Sequence, residues 1–347
     1  CSLVGSEMCI RDSIDTDKIL QGFTFIDLFC GIGGFHCALS SLGARCVFAS
    51  DIDKFAKAVY EKNYGLRPHG DITKIKVEDI PPHDIICAGF PCQPFSISGD
   101  QKGFDDPRGQ LFFNVVAIAK HHKPKVIFLE NVKNFEKHDG GKTLARVKKE
   151  LDDIGYTVYS DVLCASDYGV PQARKRLYIV AFRDDINSSQ FAFPTKIDEF
   201  KVLQDILITD AENTVNGSYV IQRETTINEA IPNERKNELV RIGKIGLGRQ
   251  GERIYSVLGV STTLSSQGGG LGGKTGMYQI DGVVRKLYPR ECARLMGFPD
   301  TFQLAETQEQ NYKQFGNSVV VEVIQLIAKE IARHLPRNNN QNGNEEE

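Results

Sequence analysis

Hydrophobic and polar positions follow two alternating periods from Phe23 to about residue 195. Short runs rich in β-branched and aromatic residues predict strands, and the longer stretches between them have apolar residues at helical spacing. The predicted strands are Thr24–Phe29, Arg45–Ser50, Asp84–Ala88, Val126–Glu130, Thr157–Leu163 and Arg176–Phe182, and the predicted helices cover 34–42, 53–63, 110–122 and 142–154. This α/β alternation indicates a doubly wound, mostly parallel sheet with helices on both faces.

The pattern changes after about residue 195, which divides the predicted fold into parts. Residues 18–195 form the predicted α/β domain, and 196–310 read as a smaller, β-rich domain with a hinge, because glycine clusters interrupt short alternating runs. Helical spacing returns over Val319–Leu335, with Asn317 and Ser318 suited to cap the helix start. We expect residues 311–336 to pack back on the α/β domain, which offers a large apolar surface.

The two ends of the chain stand outside these elements. We treat residues 1–17 as a non-native leader, since M-C-I-R-D-S at 8–13 resembles the translation of a transposon adapter used in sequencing libraries. Resequencing of the natural locus tests this hypothesis. Residues 337–347 are polar and of low complexity, and this composition predicts a disordered tail.

Composition favours a globular protein of the cytoplasm with no membrane partner. The hydrophobic content is 41%, yet no apolar run approaches the roughly 18 residues of a membrane span, and no secretory signal precedes the first strand. The nine cysteines include no C-x-x-C pair and no cluster with histidines, so neither a disulfide framework nor a metal site is expected.

Charge is unevenly distributed along the chain. The formal net charge is −3, but residues 241–290 hold eight lysines and arginines against only Glu252 and Asp281, in a stretch that also holds twelve of the 32 glycines. A basic, glycine-rich segment of this kind is typical of nucleic-acid contact, because the distribution of charge matters more than the total.

One cysteine lies in an unusually rigid setting. The stretch A-G-F-P-C-Q-P-F-S at 88–96 places Cys92 between two prolines, directly after a predicted strand. Each proline restricts its own φ and biases the preceding residue toward an extended conformation. A thiol that is held this firmly is a candidate nucleophile.

A glycine-rich turn and two acids suggest a nucleotide site. F-I-D-L-F-C-G-I-G-G-F at 25–35 joins the first strand to the first helix, Asp51 ends the second strand, and Asp71 follows in G-D-I-T. In open α/β folds such groups can bind an adenosine at the carboxyl edge of the sheet. A tight packing turn or a capping acid explains each feature by itself about equally well, but the glycines and the two acids together favour an adenosine site. The dinucleotide fingerprint G-x-G-x-x-G is absent, which disfavours an oxidoreductase.

Charged residues also mark the carboxyl edge of the predicted sheet. Glu130 closes a strongly apolar strand, and Arg174 and Arg176 share a face at the start of another. A buried glutamate with a raised pKa can protonate or hydrogen-bond a ring nitrogen. The alternatives are a helix-capping acid and two solvated arginines.

Taken in chain order, the motifs resemble those of one enzyme family. They are D-L-F-C-G-I-G-G-F, G-D-I-T, G-F-P-C-Q-P-F-S, E-N-V, Q-A-R-K-R, R-K-L-Y-P-R-E-C-A-R-L-M-G-F-P-D and Q-F-G-N-S-V. This series is similar to that of the DNA (cytosine-5) methyltransferases and covers residues 23 to about 335. The resemblance implies S-adenosylmethionine as cofactor, with S-adenosylhomocysteine as its product. It also implies double-stranded DNA as partner and a target-recognition domain in residues 196–310.

The resemblance implies roles for four candidate catalytic residues. Cys92 would add to carbon-6 of a cytosine that is flipped out of the duplex. Glu130 would contact ring nitrogen 3 and the exocyclic amine, and Arg176, with Arg174 beside it, would hold the base from the other side. Carbon-5 would then take the methyl group, and loss of its proton would release Cys92.

The resemblance also implies the cofactor and DNA contacts. The cofactor residues would be Phe29, Gly31, Gly33, Asp51, Ile52, Asp71, Ile72, Pro91, Leu111, Asn317 and Ser318. Many relatives have a glutamate at the position of Asp51 and an aromatic residue at that of Ile52, so this chain departs from the family pattern at both positions. The DNA contacts would be Ser98 and Arg108 in a lid at 95–109, and Gln250, Arg253, Gly268 and Gly269.

The recognition segments 248–256 and 263–270 resemble those of GCGC-specific bacterial modification enzymes, which predicts GCGC as the target. Gln267 departs from that pattern, where an aromatic residue is expected. A monomer that works with a separate cognate restriction endonuclease is the expected assembly. The alternatives are an RNA cytosine-5 methyltransferase and a catalytically inactive DNA-binding module. The second would lack its nucleophile or its acid, but Cys92 and Glu130 are both present.

Overall fold

A computed structural model of the chain describes residues 18–90, 111–208, 217–228 and 233–336. The predicted leader, the lid and the C-terminal tail therefore lie outside the described residues. Among the described helices, none has the length and hydrophobicity needed to cross a bilayer.

A six-stranded sheet forms the centre of the first part of the fold, with the order β2-β1-β3-β4-β6-β5. Its strands are β1 (Thr24–Leu28), β2 (Arg45–Ser50), β3 (Ile85–Ala88), β4 (Val126–Val132), β5 (Tyr156–Cys164) and β6 (Lys175–Arg183). Strands β2, β1, β3 and β4 are parallel neighbours, whereas β6 is antiparallel to both β4 and β5. The predicted mostly parallel α/β sheet is confirmed, and only β6 runs against the rest.

Eight helices of the described residues accompany the two sheets. They are α1 (Gly34–Ser41), α2 (Lys54–Tyr64), α3 (Leu111–His122), α4 (Asn134–Lys137), α5 (Lys142–Asp152), α6 (Pro289–Leu295), α7 (Gln308–Asn317) and α8 (Val321–Ala332). The predicted strands and helices of the first part agree with these bounds to within two residues, because each hydrophobic period reflects which local face is buried.

The central sheet is covered on both faces, as the doubly wound prediction requires. Successive residues of β4 point to opposite sides of the sheet, so that Phe128 joins one core and Leu129 the other. The first core includes residues of α1, α2 and α6 to α8, and the second includes residues of α3, α4 and α5. Helix α8 buries Val323, Ile324 and Ile327 in the first core.

The predicted cap of the last helix is wrong. Asn317 is the final residue of α7, Ser318 follows it, and α8 begins only at Val321. The residue before α8 is Val320, which provides no side-chain hydrogen bond. The Asn-Ser pair therefore forms the junction between two helices, since a helix that the sequence analysis did not predict precedes it.

A second sheet has five short strands in the order β11-β10-β9-β8-β7. They are β7 (Thr225–Ile227), β8 (Arg241–Ile245), β9 (Arg253–Ser256), β10 (Met277–Ile280) and β11 (Val283–Arg285). A small apolar cluster of its own stabilises this sheet, and it includes Ile242, Ile254 and Met277.

A buried ion pair connects the second sheet to the helical region. The guanidinium of Arg285, at the end of β11, donates 2.7 Å hydrogen bonds to both carboxylate oxygens of Glu291 in α6. The two side chains are 6% and 0% exposed. Glu291 also accepts hydrogen bonds from the backbone N–H groups of Tyr288 and Ile208, so its carboxylate is well satisfied.

Candidate active site

Glu130 and Arg176 form an ion pair at the carboxyl edge of the central sheet. In the ladder between β4 and β6, Val132 lies opposite Arg176 and Glu130 opposite Tyr178. Because β6 is antiparallel, its first residues lie where β4 ends. The Arg176 Nε and Glu130 Oε1 atoms are 3.0 Å apart, and the two side chains are 15% and 11% exposed.

Burial sets the protonation behaviour of Glu130. Desolvation raises the pKa of its carboxyl above the ordinary value, although the charges of Arg176 and Arg174 oppose the shift. The carboxyl therefore keeps its proton to a higher pH than an exposed glutamate does. Such a group can donate a hydrogen bond to a ring nitrogen and hold an amine.

The chain leaves β3 directly beside Glu130. A Cβ atom placed on Gly89 would lie 3.8 Å from Glu130 Oε2, and Asn131 Nδ2 donates a 3.3 Å hydrogen bond to the carbonyl of Phe90. Phe90 is buried and is the last residue before a gap in the described residues. The predicted site residues Pro91, Cys92, Ser98 and Arg108 all lie in that gap.

Arg174 directs its hydrogen bonds to the backbone and not to Glu130, although its charge acts on the Glu130 carboxyl. Its side chain is buried and donates to three backbone carbonyls: Nη1 to Leu264 at 3.0 Å, and Nη2 to Gly316 at 3.1 Å and Ser318 at 2.6 Å. Two arginines in one short motif thus have different environments.

The glycine turn after β1 has a left-handed backbone conformation at three positions. Phe29, Gly31 and Gly33 all have positive φ, at 55°, 53° and 82°. Asp51 supports this turn, because its Oδ2 accepts a 2.8 Å hydrogen bond from the N–H of Gly31. Its Oδ1 accepts a 2.7 Å hydrogen bond from Asp53. Burial raises the pKa of Asp51 above the ordinary value.

The other predicted cofactor residues that the structure describes differ in their exposure. Ile52 is 79% exposed, which leaves an apolar surface that a ligand could cover. Asp71 accepts hydrogen bonds from the N–H and hydroxyl of Thr73. Ile72 is buried, Leu111 begins α3, and Asn317 is exposed.

The junction between α7 and α8 contacts the start of α1. A Cβ atom on Gly34 would lie 2.6 Å from Val319 Cγ2 and 3.0 Å from Ser318 Oγ, so only glycine permits this approach. The structure therefore brings the distant motif Q-F-G-N-S-V next to the glycine turn. Ser318 is buried there, beside the exposed Asn317.

The two predicted recognition segments are in direct contact. Gln250 and Arg253 are exposed at the turn between β8 and β9, and the N–H of Gly272 donates a 2.9 Å hydrogen bond to the carbonyl of Gly251. A Cβ atom on Gly251 would lie only 2.4 Å from the carbonyl oxygen of Gly269. The glycine stretch that includes Gly268 and Gly269 therefore packs backbone to backbone against the turn.

The sequence profile of one family, described as C-5 cytosine-specific DNA methylase, matches residues 23–333. This chain belongs to that family. The methyltransferase is 49% identical over 319 residues to the type II methyltransferase M.HhaI of Haemophilus parahaemolyticus, with 92% of this chain and 97% of the relative covered. It is 39% identical over 341 residues to M.HpaII of Haemophilus parainfluenzae, with 92% and 91% covered.

Solved structures agree with the α/β fold of the methyltransferase. The Dnmt2 methyltransferase of S. pombe superposes with a TM-score of 0.67 at 24% identity, covering 88% of this chain and 97% of that one. An E. coli DNA modification methyltransferase encoded within a prophage gives a TM-score of 0.66 at 20% identity, with 90% and 99% covered. The protein is thus a cytosine-5 DNA methyltransferase, and the family resemblance predicted from its motifs is confirmed.

Sequence reasoning missed one residue of the methyltransferase that matters for this region. Gln172 is completely buried, accepts a 3.1 Å hydrogen bond from the N–H of Leu264 and donates a 3.2 Å hydrogen bond to the carbonyl of Leu295. Its position at the start of Q-A-R-K-R was the available signal. A side-chain amide in a motif of charged residues suggests hydrogen bonds to two backbone segments at once, since an amide both donates and accepts.

Proposed function

We propose that the enzyme methylates carbon-5 of a cytosine that has left the base stack of duplex DNA, with Cys92 as nucleophile and Glu130 and Arg176 as its partners. The observation that carries this proposal is the buried Glu130–Arg176 pair beside the point where the chain enters the Cys92 segment. An acid and a guanidinium at one sheet edge match the polar edge of a pyrimidine.

Glu130 and Arg176 would orient the base and make its ring electrophilic. The protonated carboxyl donates to ring nitrogen 3 and its other oxygen accepts from the exocyclic amine, while Arg176 holds the opposite oxygen of the base. The Cys92 thiolate then bonds to carbon-6, and the electron pair of the ring moves toward carbon-5. After methylation, carbon-5 loses its proton, the double bond re-forms and the sulfur leaves as thiolate.

The glycine turn and its neighbours fit S-adenosylmethionine. An exposed aliphatic residue, Ile52, can cover one face of a purine. Gly31 has positive φ, and apart from its chain neighbours no atom of the described residues lies within 4 Å of its Cβ position, which leaves room for a ligand. When bound, this cofactor supplies an electrophilic methyl group. The residues that would hold it are Phe29, Gly31, Gly33, Asp51, Ile52, Asp71, Ile72, Pro91, Leu111, Asn317 and Ser318.

We further propose GCGC as the target. The turn with Gln250 and Arg253 projects from the second sheet next to the glycines at 268 and 269, which supports a recognition surface formed by both segments. Arg253 would donate to the two major-groove acceptors of a guanine, and Gln250 would fill the space that the flipped base leaves. Ser98 and Arg108 would contact the DNA from the predicted lid.

The setting of the enzyme is part of the same proposal. A restriction-modification system would pair it with a separate endonuclease in the cytoplasm, since its relatives bear type II names. A monomer suffices, because one visit modifies one cytosine. We assign residues 18–195 to catalysis and 196–310 to target recognition. Residues 311–336 would pack back on the catalytic domain.

Trapping with 5-fluorocytosine tests the nucleophile. Fluorine at carbon-5 blocks the last proton loss, so wild-type enzyme with S-adenosylmethionine and a GCGC duplex should accumulate a covalent adduct. Cys92→Ser should form none while it still binds the duplex. Bisulfite sequencing of plasmid DNA from expressing cells maps the methylated site. An adduct in the serine variant would refute the nucleophile, and methylation at another motif would refute the target.

A further inference from the structure

We propose that Arg174 is a positioning residue that couples target recognition to the catalytic pair. This inference rests on the proposed function, because it assumes that residues 248–270 read the target and that Glu130 and Arg176 hold the cytosine. Arg174 itself touches neither the base nor the cofactor in this account. It acts by holding two distant chain segments, one around Leu264 and one at Gly316–Ser318, against the start of β6.

The three hydrogen bonds of Arg174 converge from separate parts of the chain. Leu264 belongs to the predicted recognition segment, and Gly316 and Ser318 border the junction of α7 and α8 that faces the glycine turn. The side chain is 2% exposed, so each bond is shielded from water. A planar guanidinium has five N–H donors in a fixed arrangement, whereas a lysine amine cannot span three carbonyls in this way.

Neighbouring contacts hold the same segments in register. The hydroxyl of Thr263 donates a 2.7 Å hydrogen bond to the carbonyl of Ala173, and Gln172 bonds the N–H of Leu264. A Cβ atom on Gly316 would lie 2.3 Å from the backbone nitrogen of Ser266, so the end of α7 packs directly on the recognition segment. Arg174 is the charged centre of this contact.

The contact continues at both ends toward groups that meet the DNA in the proposed function. Toward the recognition side, the segment after Leu264 leads to Gly272, which bonds Gly251 in the turn with Gln250 and Arg253. Toward the catalytic side, Arg174 stands two residues before Arg176, the partner of Glu130. A displacement of the recognition turn would therefore shift the backbone at the start of β6, where Arg176 lies.

Arg174 also contributes charge to the catalytic pair. Among the described residues, the charged and titratable groups that interact with Glu130 are Arg176, Arg174 and Tyr178. Both arginines lower the pKa of Glu130 against the effect of burial. Removal of the Arg174 charge should raise that pKa further, so the protonated carboxyl would persist to higher pH.

The test compares Arg174→Lys and Arg174→Gln with Arg183→Gln as the matched control. Arg183 lies at the opposite end of β6 and bonds Asp185 and the carbonyl of Lys123, far from the catalytic edge. Single-turnover methylation is measured on the duplex that wild type modifies and on one with a single altered flanking pair. Thermal unfolding and the pH dependence of the rate are recorded for each variant.

We expect Arg174→Lys to lower the ratio of the methylation rate on the cognate duplex to that on the altered duplex by about tenfold, which is within the usual range of coupling between sites. Because lysine keeps the positive charge, the alkaline limb of the pH–rate profile should not change. Arg174→Gln should lose discrimination equally and move its alkaline limb to higher pH. The control should change neither. If the lysine variant is less stable but keeps wild-type discrimination in the folded protein, Arg174 is only a structural residue and the inference fails.

A second variant keeps the inference testable if Arg174 substitutions do not fold. Thr263→Val retains the shape of the side chain and removes only its hydrogen bond to Ala173. A smaller loss of discrimination is expected, and an unchanged ratio would overturn the coupling. The cognate duplex is the one mapped for wild type, so a target other than GCGC refutes the proposed specificity without affecting this test.

Discussion

At the scale of single residues, the environment of a side chain decides what its chemistry can do. Glu130 and Glu61 have the same functional group, but Glu130 is buried against Arg176 and Glu61 is exposed on α2. Burial raises the pKa of Glu130 and shields its hydrogen bonds from water. The buried carboxyl of Glu130 therefore keeps its proton to a higher pH than its ordinary pKa would allow.

Glu130→Gln should lose most of its turnover while it retains the fold. The amide keeps the size of the side chain but can neither transfer a proton nor carry a charge, and general acid–base catalysis typically contributes about 10²–10⁴-fold. Single-turnover methylation with labelled S-adenosylmethionine measures the loss, and Glu61→Gln is the control. A Glu130 variant with wild-type rates would remove this residue from the reaction.

Arg253→Ala should relax discrimination at one guanine by about 1–3 kcal/mol. Arg253 is exposed at the start of β9, and in the proposed function its guanidinium donates to two acceptors of a guanine in the major groove. Arg249→Ala provides the comparison on the same exposed turn. Loss of the Arg249 side chain should weaken binding to all DNA sequences by the same factor and reduce the salt dependence of binding. Competition binding with duplexes altered at each position separates the two patterns.

At the scale of elements, strand direction and glycine contacts place the groups that single residues cannot position. Because β6 runs against β4, the start of one strand meets the end of the other and Arg176 reaches Glu130. In the second sheet, Gly251 and Gly272 join two segments through their backbones. Neither arrangement is visible in a local pattern of hydrophobic residues.

Gly251→Ala should detach the recognition turn from the glycine segment. The new Cβ atom would lie 2.4 Å from the carbonyl oxygen of Gly269, and backbone cannot yield as a flexible side chain does. Hydrogen exchange of backbone amides in 263–276 should become faster, with weaker DNA binding. At Gly269 a Cβ atom meets nothing within 4 Å, so Gly269→Ala should leave exchange unchanged. Equal exchange in both variants would contradict the prediction.

At the scale of the whole molecule, two cores and a buried ion pair hold the parts together. The first core extends from the central sheet to α6, α7 and α8, and also includes Tyr255 and Tyr278 of the second sheet. The Arg285–Glu291 pair adds a polar connection between β11 and α6. The motif R-K-L-Y-P-R-E thus has a structural explanation in addition to its family resemblance.

Glu291→Gln should destabilise the protein by about 3–5 kcal/mol, because it leaves the buried charge of Arg285 uncompensated. The exposed pair of Arg294 and Asp300 offers the contrast, since Asp300→Asn should cost at most about 1 kcal/mol. Urea unfolding measures both values. A Glu291 variant as stable as the Asp300 variant would show that the buried pair contributes little.

The strands and helices around the central sheet could be predicted because burial repeats with a local period. The family could be predicted because seven motifs occur in the family's order. One of these motifs, E-N-V, also identified Glu130 as a candidate site residue. The division of labour in Q-A-R-K-R could not be predicted in this way. Arg174 and Arg176 share a face by spacing, yet the partners of Arg174 are 90 to 144 positions away.

By itself, the sequence determined the α/β alternation, which depends on local spacing, and the family, because its motifs resemble those of that family in the same order. Tertiary structure alone decided that Arg176 pairs with Glu130, that Arg174 holds three carbonyls and that two glycine segments meet. Contacts of this kind depend on strand direction and on which distant backbones can approach closely. Local periodicity carries no record of either, because it reports only which face of each element is buried.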